Sequence, residues 1–215
     1  MDISIIKNFF PVLLKGSLIT VELTFISMIL GSILGLLITF TKISKNNVFK
    51  AIGSFYTWFF RGTPLLMQLF VIYYGLPQIG IKLEPFTAAV IGLTLNISAY
   101  IAEVIRGAIE SIDKCQWEAA ATEGMNYWQT VFIIILPQSY KRMIPSMTNE
   151  FIALIKDTSL VSTIAMVDLM RTAQQMVSTT FKPLEIFFIA AILYLTMTTV
   201  FTTVFKYVEA KVSYE

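Results

Sequence analysis

The sequence contains no histidine, so no Ser-His or Cys-His nucleophilic site can be built, and a common zinc and haem ligand is missing. Its single cysteine, Cys115, cannot close an internal disulfide and carries no information about redox compartment. None of the 10 glycines is followed by lysine, which excludes the G-x-x-x-x-G-K-[ST] loop that grips nucleotide phosphates. Charge is scarce: 14% of the 215 residues are Asp, Glu, Lys or Arg, against about 25% in an ordinary soluble domain. The net charge of +2 is too small a field to hold nucleic acid. Asp2 stands where a secretory signal carries a basic residue, and no small-residue cleavage site closes the first apolar run, so no signal peptide is expected. Low-complexity segments, Gly/Ser linkers and internal repeats are also lacking, which predicts a single domain over 1–215.

What remains is mostly apolar. Hydrophobic residues make up 56% of the chain, and the mean hydropathy is +0.72. So few charges cannot dress a soluble surface, so much of the exterior faces lipid. A spanning helix needs about 20 mostly apolar residues. Four runs qualify: Gly16 to Thr41, interrupted only by Glu22; Thr63 to Ile81; Phe86 to Ala102; and Ile186 to Phe205. The region 125–167 allows one span or two by hydropathy. Met125 to Tyr140 is short and holds Pro137, which favours an interfacial or buried helix. Met143 to Val161 is taken as the remaining span, with Glu150, Lys156 and Asp157 facing protein or water. The expectation is therefore an all-α polytopic membrane protein with five transmembrane helices.

Lys and Arg in short loops set the orientation. Lys42, Lys45, Lys50, Arg106, Lys114, Lys141, Arg142, Lys206 and Lys211 fall on one side. Lys7, Lys15, Lys82, Lys156, Arg171 and Lys182 fall on the other, and Arg61 sits at a boundary. The richer side is cytoplasmic by this rule, with the N-terminus outside and the C-terminus inside. The one long stretch of soluble character, about 107–142, is then a cytoplasmic loop.

That loop reads Glu118-Ala119-Ala120-Ala121-Thr122-Glu123-Gly124, then nine residues, then Ile134-Ile135-Leu136-Pro137. The pattern E-A-A-x3-G-x9-I-x-L-P resembles the EAA loop of ABC-importer permease subunits. The blocks Arg61-Gly62-Thr63-Pro64-Leu65-Leu66, Glu103 to Ile109, Asn149-Glu150-Phe151 and Lys156 to Leu160 resemble the polar amino acid permeases of the histidine, arginine and glutamine type. The resemblance implies the type I ABC importer permease fold with a cytoplasmic coupling loop, in a bacterial inner or plasma membrane. It implies as partners two ATP-binding subunits, a second permease copy or paralogue, an external solute-binding protein, the amino acid and the bilayer. ATP and Mg would belong to the partner subunit, and this chain would hold no cofactor or metal and perform no bond chemistry. Glu118, Ala119, Ala120, Gly124, Leu136 and Pro137 would form the coupling elbow. Small alanines admit close approach and favour helix, glycine permits a sharp turn, and Pro137 limits the helix that follows. Relatives often carry glycine at the position of Cys115 and basic residues near Val131-Phe132, so the second arm is unusually apolar here.

Ionisable groups at membrane depth are functional candidates, because about 2.5–3.5 kcal/mol opposes a lone charge at the centre. Glu103 is the first: it faces a central cavity and accepts a substrate ammonium or guanidinium, or it pairs with Arg106 at i+3. Asn96 lies two turns earlier on nearly the same face. Asp157 is the second, with helix capping as its alternative. Thr20, Thr24 and Ser27 share a face that lines the path or bonds to backbone. Met67 and Gln68 border the cavity or belong to the core. Gly31 and Gly35 form G-x-x-x-G, read as close helix packing. The functional expectation is the permease subunit of an importer for polar, chiefly basic, amino acids. A passive channel or a scaffold subunit of another membrane complex is the alternative.

Overall fold

The computed structural model describes residues 3–213, with side chains placed for 9–211, so Asp2 and the Lys7 side chain lie outside the described residues. Every regular element among the described residues is helical. The long elements are α1 (Ile3–Lys42), α4 (Pro85–Glu110) and α9 (Pro183–Ser213). Stretches Phe9–Lys42, Pro85–Glu110 and Pro183–Lys211 are each long and apolar enough to cross a membrane. At ~1.5 Å per residue the 40 residues of α1 reach about 60 Å, twice a hydrocarbon core of about 30 Å.

The two remaining sequence-predicted spans are built differently. Thr63 to Ile81 begins at a break. Before it, α2 (Asn47–Gly62) is amphipathic, with Lys50, Ser54, Thr57 and Arg61 at i, i+4, i+7 and i+11 and an exposed apolar face of Phe49, Ile52, Phe55 and Phe59. After it, α3 (Leu65–Phe70) passes into a π turn (Val71–Gly75) and a 3-10 turn (Leu76–Ile79). The fourth span falls on α7 (Leu136–Asp157), which continues as 3-10 turns over Thr158–Ile164.

α4 is the most buried helix, and α1 is its chief neighbour. A Cβ on Gly31 would collide with the Ile97 side chain, and one on Gly35 would stand 2.9 Å from the Ser98 carbonyl. These glycines let the two backbones touch, as the G-x-x-x-G spacing predicts. Thr39 Oγ1 adds a 3.0 Å hydrogen bond to the Ala102 carbonyl. The register, Gly31 on Ile97 and Gly35 on Ile101, makes α1 and α4 parallel. α9 runs the same way, since Leu13 packs with Ile186 while Phe25 meets Phe201. α8 (Leu169–Thr180) closes the N-terminal half of α1 against α9, capped by buried Asp168.

The loop after α4 begins with a short helix and, past a turn, runs without a break into α7. α5 (Lys114–Thr122) is capped by Asp113 Oδ1, which accepts the Cys115 N–H at 2.9 Å. That N–H holds the Asp113 carboxyl below its ordinary range, and the adjacent carboxylate raises the Cys115 thiol. Gly124 then turns at φ +76, with Gly124 N–H to Ala121 O at 3.1 Å and Met125 N–H to Ala120 O at 3.1 Å. This pair of bonds is the Schellman stop, which favours glycine at the left-handed residue. Asn126 and Gln129 form a capping box that starts α6 (Tyr127–Gln129). From there the chain passes through a π turn (Thr130–Ile135) straight into α7. Pro137 does not end the second arm. The wide turn just before it relieves the clash a proline ring makes with the carbonyl four residues back. The same device precedes Pro77. The apolar second arm rests on α1, with the Phe132 and Phe40 rings 5.3 Å apart.

Candidate functional site

The Thr63-Pro64 break organises the polar interior. Pro64 offers no N–H, and Thr63 is extended (ψ 144), so α2 ends with free carbonyls. Buried amides answer them. Gln68 Nε2 donates to Phe60 O at 2.9 Å and to Thr63 Oγ1 at 2.8 Å. Asn96 Nδ2 donates to Phe60 O at 3.2 Å and to Gln68 Oε1 at 3.1 Å. The break is thereby pinned to the middle of α4, with the Phe60 carbonyl answered by two buried amides.

Beside it opens a cavity of about 600 Å³, lined by Arg61, Asn96, Tyr100, Glu150, Ala153 and Asp157, among others. The volume suits a small polar solute. Glu150 and Asp157 lie at i and i+7 on α7 and so share a face, about 10 Å apart along the axis. Neither carboxylate has an ion-pair partner among the described residues. Arg61 leans over the Tyr100 ring, 5.3 Å from its centroid. The cavity thus carries one guanidinium, two unpaired carboxylates and an aromatic face.

Glu103 lies next door, outside that lining. Lys42 Nζ donates to its Oε1, and Arg106 grips its Oε2 through Nε at 2.9 Å and Nη2 at 2.7 Å. Arg61 Nη1 stands 3.9 Å from Glu103 Oε1. The i+3 pair with Arg106 therefore forms, inside a larger cluster that also draws Lys42 Nζ to Thr57 Oγ1 at 2.9 Å. Thr24 is fully buried and bonds back to Thr20 O at 2.8 Å. Ser27 is fully buried with no hydrogen-bond partner for its hydroxyl among the described residues. Met67 borders a separate apolar pocket with Phe59, Phe60 and Leu95. Of the residues singled out in the sequence, Asp157 and Asn96 meet in the main cavity; Glu103, Thr24, Ser27 and Met67 do not line it.

Sequence reasoning put Arg61 at a membrane boundary, had Glu150 facing protein or water without naming it as a site residue, and passed over Tyr100. The Lys50-Ser54-Thr57-Arg61 stripe and the i, i+7 spacing of Glu150 and Asp157 were the available clues. At the elbow, Glu118, Ala119, Gly124 and Pro137 are exposed, Ala120 is buried and Leu136 packs partly inward. Trp117 turns inward and stacks on Tyr127 at 5.7 Å. Tyr127 Oη donates to the Ile43 carbonyl at 2.9 Å, which fastens the elbow to the end of α1.

The family described as "Binding-protein-dependent transport system inner membrane component" matches residues 27–214. The chain belongs to this family. The permease is similar to the "Arginine transport system permease protein ArtQ" of Bacillus subtilis, with 41% identity over 202 residues, 94% of this chain and 92% of that one. It is 45% identical over 169 residues to the "L-cystine transport system permease protein TcyB" of the same organism, covering 79% of this chain and 72% of that one. Among solved structures, the permease resembles a chain in "Crystal structure of an amino acid ABC transporter with histidines". The TM-score is 0.93 at 37% identity, over 98% of this chain and 99% of the other. A methionine ABC transporter structure shares the fold, with a TM-score of 0.78 at 19% identity over 93% of this chain and 95% of the other. The type I importer fold and the all-helical expectation are thus met. The relatives are membrane subunits of ABC transporters, not enzymes themselves.

Proposed function

We propose that this permease is the membrane subunit of an ATP-driven importer for polar amino acids, with a preference for basic side chains, and that the Arg61–Glu150–Asp157 cavity holds the solute in transit. The observation that carries this reading is a pair of carboxylates without partners, facing a cavity that also presents a guanidinium. An amino acid brings the complementary set. Its α-carboxylate suits the planar fork of Arg61. Its α-ammonium and a cationic side chain answer the two acids. Burying unpaired carboxylates is costly, so a cation entering the cavity relieves that cost. The 41% identity to an arginine permease supports the basic preference. Asn96 acts by holding the break that presents Arg61, and Glu103 by restraining Arg61 from behind.

In this reading α1, the α2–α3 pair, α4, α7 and α9 make five crossings, with the N-terminus outside and the elbow in the cytoplasm. The exposed face of α5 and Gly124 docks on an ATP-binding subunit, which binds ATP and Mg. The permease works as a pair, with two such ATPases below and a solute-binding protein outside.

Equilibrium binding of arginine, lysine, histidine, glutamine and glutamate to the purified transporter tests the proposal. The expected order places the cationic amino acids first and glutamate last. Equal affinities across the panel, or binding that Asp157→Asn leaves untouched for every solute, would remove the cavity from the mechanism.

A further inference from the structure

A second charged cavity, of about 590 Å³, lies at the elbow end of the bundle, where α1, α2, α4 and α5 meet. Lys42, Lys50, Arg106 and Lys114 line it, while Glu110 is the one acid in its lining. Lys42 and Arg106 are engaged by Glu103 and Glu110. Lys50 and Lys114 have no ion-pair partner among the described residues. Trp117 and Tyr127 form the wall toward the elbow, and Lys45 stands over the Tyr127 ring at 5.2 Å. Lys50 projects from the polar side of α2, whose other side exposes Phe49, Ile52 and Phe55. As the first half of the α2–α3 crossing, α2 turns this exposed apolar face toward acyl chains. The apolar face begins at Phe49, next to Lys50 and about 100° around the helix, so a lipid lying along that face reaches the basic cavity round the edge of α2. Basic pockets between membrane helices are where phospholipid head groups are held.

We propose that this cavity binds the phosphate of an anionic membrane phospholipid, whose acyl chains lie along the exposed apolar face of α2. The phosphate draws Lys50 of α2 and Lys114 of α5 toward one point. Trp117 packs inward on α5, while Lys114 is exposed in its first turn and shares a face with Glu118 at i+4, so the lipid braces the elbow from its N-terminal end. The inference is independent of which solute is carried.

The test uses the purified transporter complex in phosphatidylcholine nanodiscs, titrated with phosphatidylglycerol. Thermal unfolding and native mass spectrometry of retained lipid are the readouts. Phosphatidylglycerol should stabilise the wild type in a saturable way. The K50Q/K114Q variant should bind it about 30-fold more weakly, from the usual gain per basic residue near an anionic lipid. K206Q/K211Q, which removes the same charge from the exposed end of α9, should bind like the wild type. An undiminished response in K50Q/K114Q overturns the proposal. So does equal weakening in both double variants, or equal stabilisation by inorganic phosphate in pure phosphatidylcholine, which would assign the cavity to a soluble anion.

Discussion

Replacing Glu150 by Gln and Asp157 by Asn together removes both negative charges from the main cavity while keeping side-chain shape. The two groups stand about 10 Å apart along α7, so a solute of amino-acid size reaches both only with its α-ammonium at one and its side chain at the other. A charge pair at 4 Å has a gross attraction of about 4 kcal/mol at an effective dielectric of about 20. Desolvation removes most of that, and the net advantage of a charge-assisted over a neutral hydrogen bond is about 1–1.5 kcal/mol. Arginine loses this advantage twice, at its α-ammonium and at its guanidinium. Glutamine loses it once. The arginine-to-glutamine affinity ratio should therefore fall about 5–15-fold, and both absolute affinities should drop. Isothermal titration of the purified complex with each amino acid measures the ratio. An unchanged ratio alongside weaker binding would show that the carboxylates hold only the common α-ammonium. No change in either affinity would refute the site.

Glu103→Gln leaves Lys42 with no counter-charge at a side chain only 12% exposed, so stability should fall by about 3 kcal/mol, read by thermal or denaturant unfolding of the complex. Adding Lys42→Met should restore part of it, and a fully additive double variant would contradict pairing. Gly35→Val should cost about 1–3 kcal/mol and lower the yield of folded protein, because its Cβ meets the Ser98 carbonyl and backbone cannot yield. Gly62→Ala, where a Cβ meets nothing within 4 Å, should leave stability unchanged. Gly124→Val forces a β-branched residue to φ +76, whereas Gly124→Asn tolerates it, so solute-stimulated ATP hydrolysis should be lost in the first and kept in the second.

The parts of this chain governed by short-range rules were readable in the sequence. The Gly31/Gly35 spacing predicted the α1–α4 approach, and the alanines followed by Gly124 predicted a helix that stops in a turn. Long apolar runs predicted α1, α4 and α9. The difficulties came where partners are distant in sequence. Glu103 looked like a cavity residue because its neighbours along the chain show only Arg106. Lys42 lies 61 residues away and arrives through the α1–α4 packing. Thr24 and Ser27 looked like path residues because polar groups on one helix face say nothing about which neighbour covers them. Pro137 looked like a limit on an unbroken helix, and the interruption takes the form of a π turn before it, which a local rule cannot foresee.

The charged end of α2 faces the cavity because the helix is interrupted. An unbroken helix through residues 47–79 would continue its stripe in steps of three and four, and Arg61 would be followed on that face by Leu65 and Gln68. The proline stops the helix one turn after Thr57, so Gly62, Thr63 and Pro64 form part of the cavity wall and leave room beside the guanidinium. The exposed carbonyls created by that stop would be costly in an apolar interior. Gln68 and Asn96 remove this cost, and both are buried and spent on backbone. Their amides therefore position the site without presenting a donor to the solute. In the proposed site, the groups left to recognise an amino acid are the two carboxylates of α7, without ion-pair partners among the described residues, and the Arg61 guanidinium.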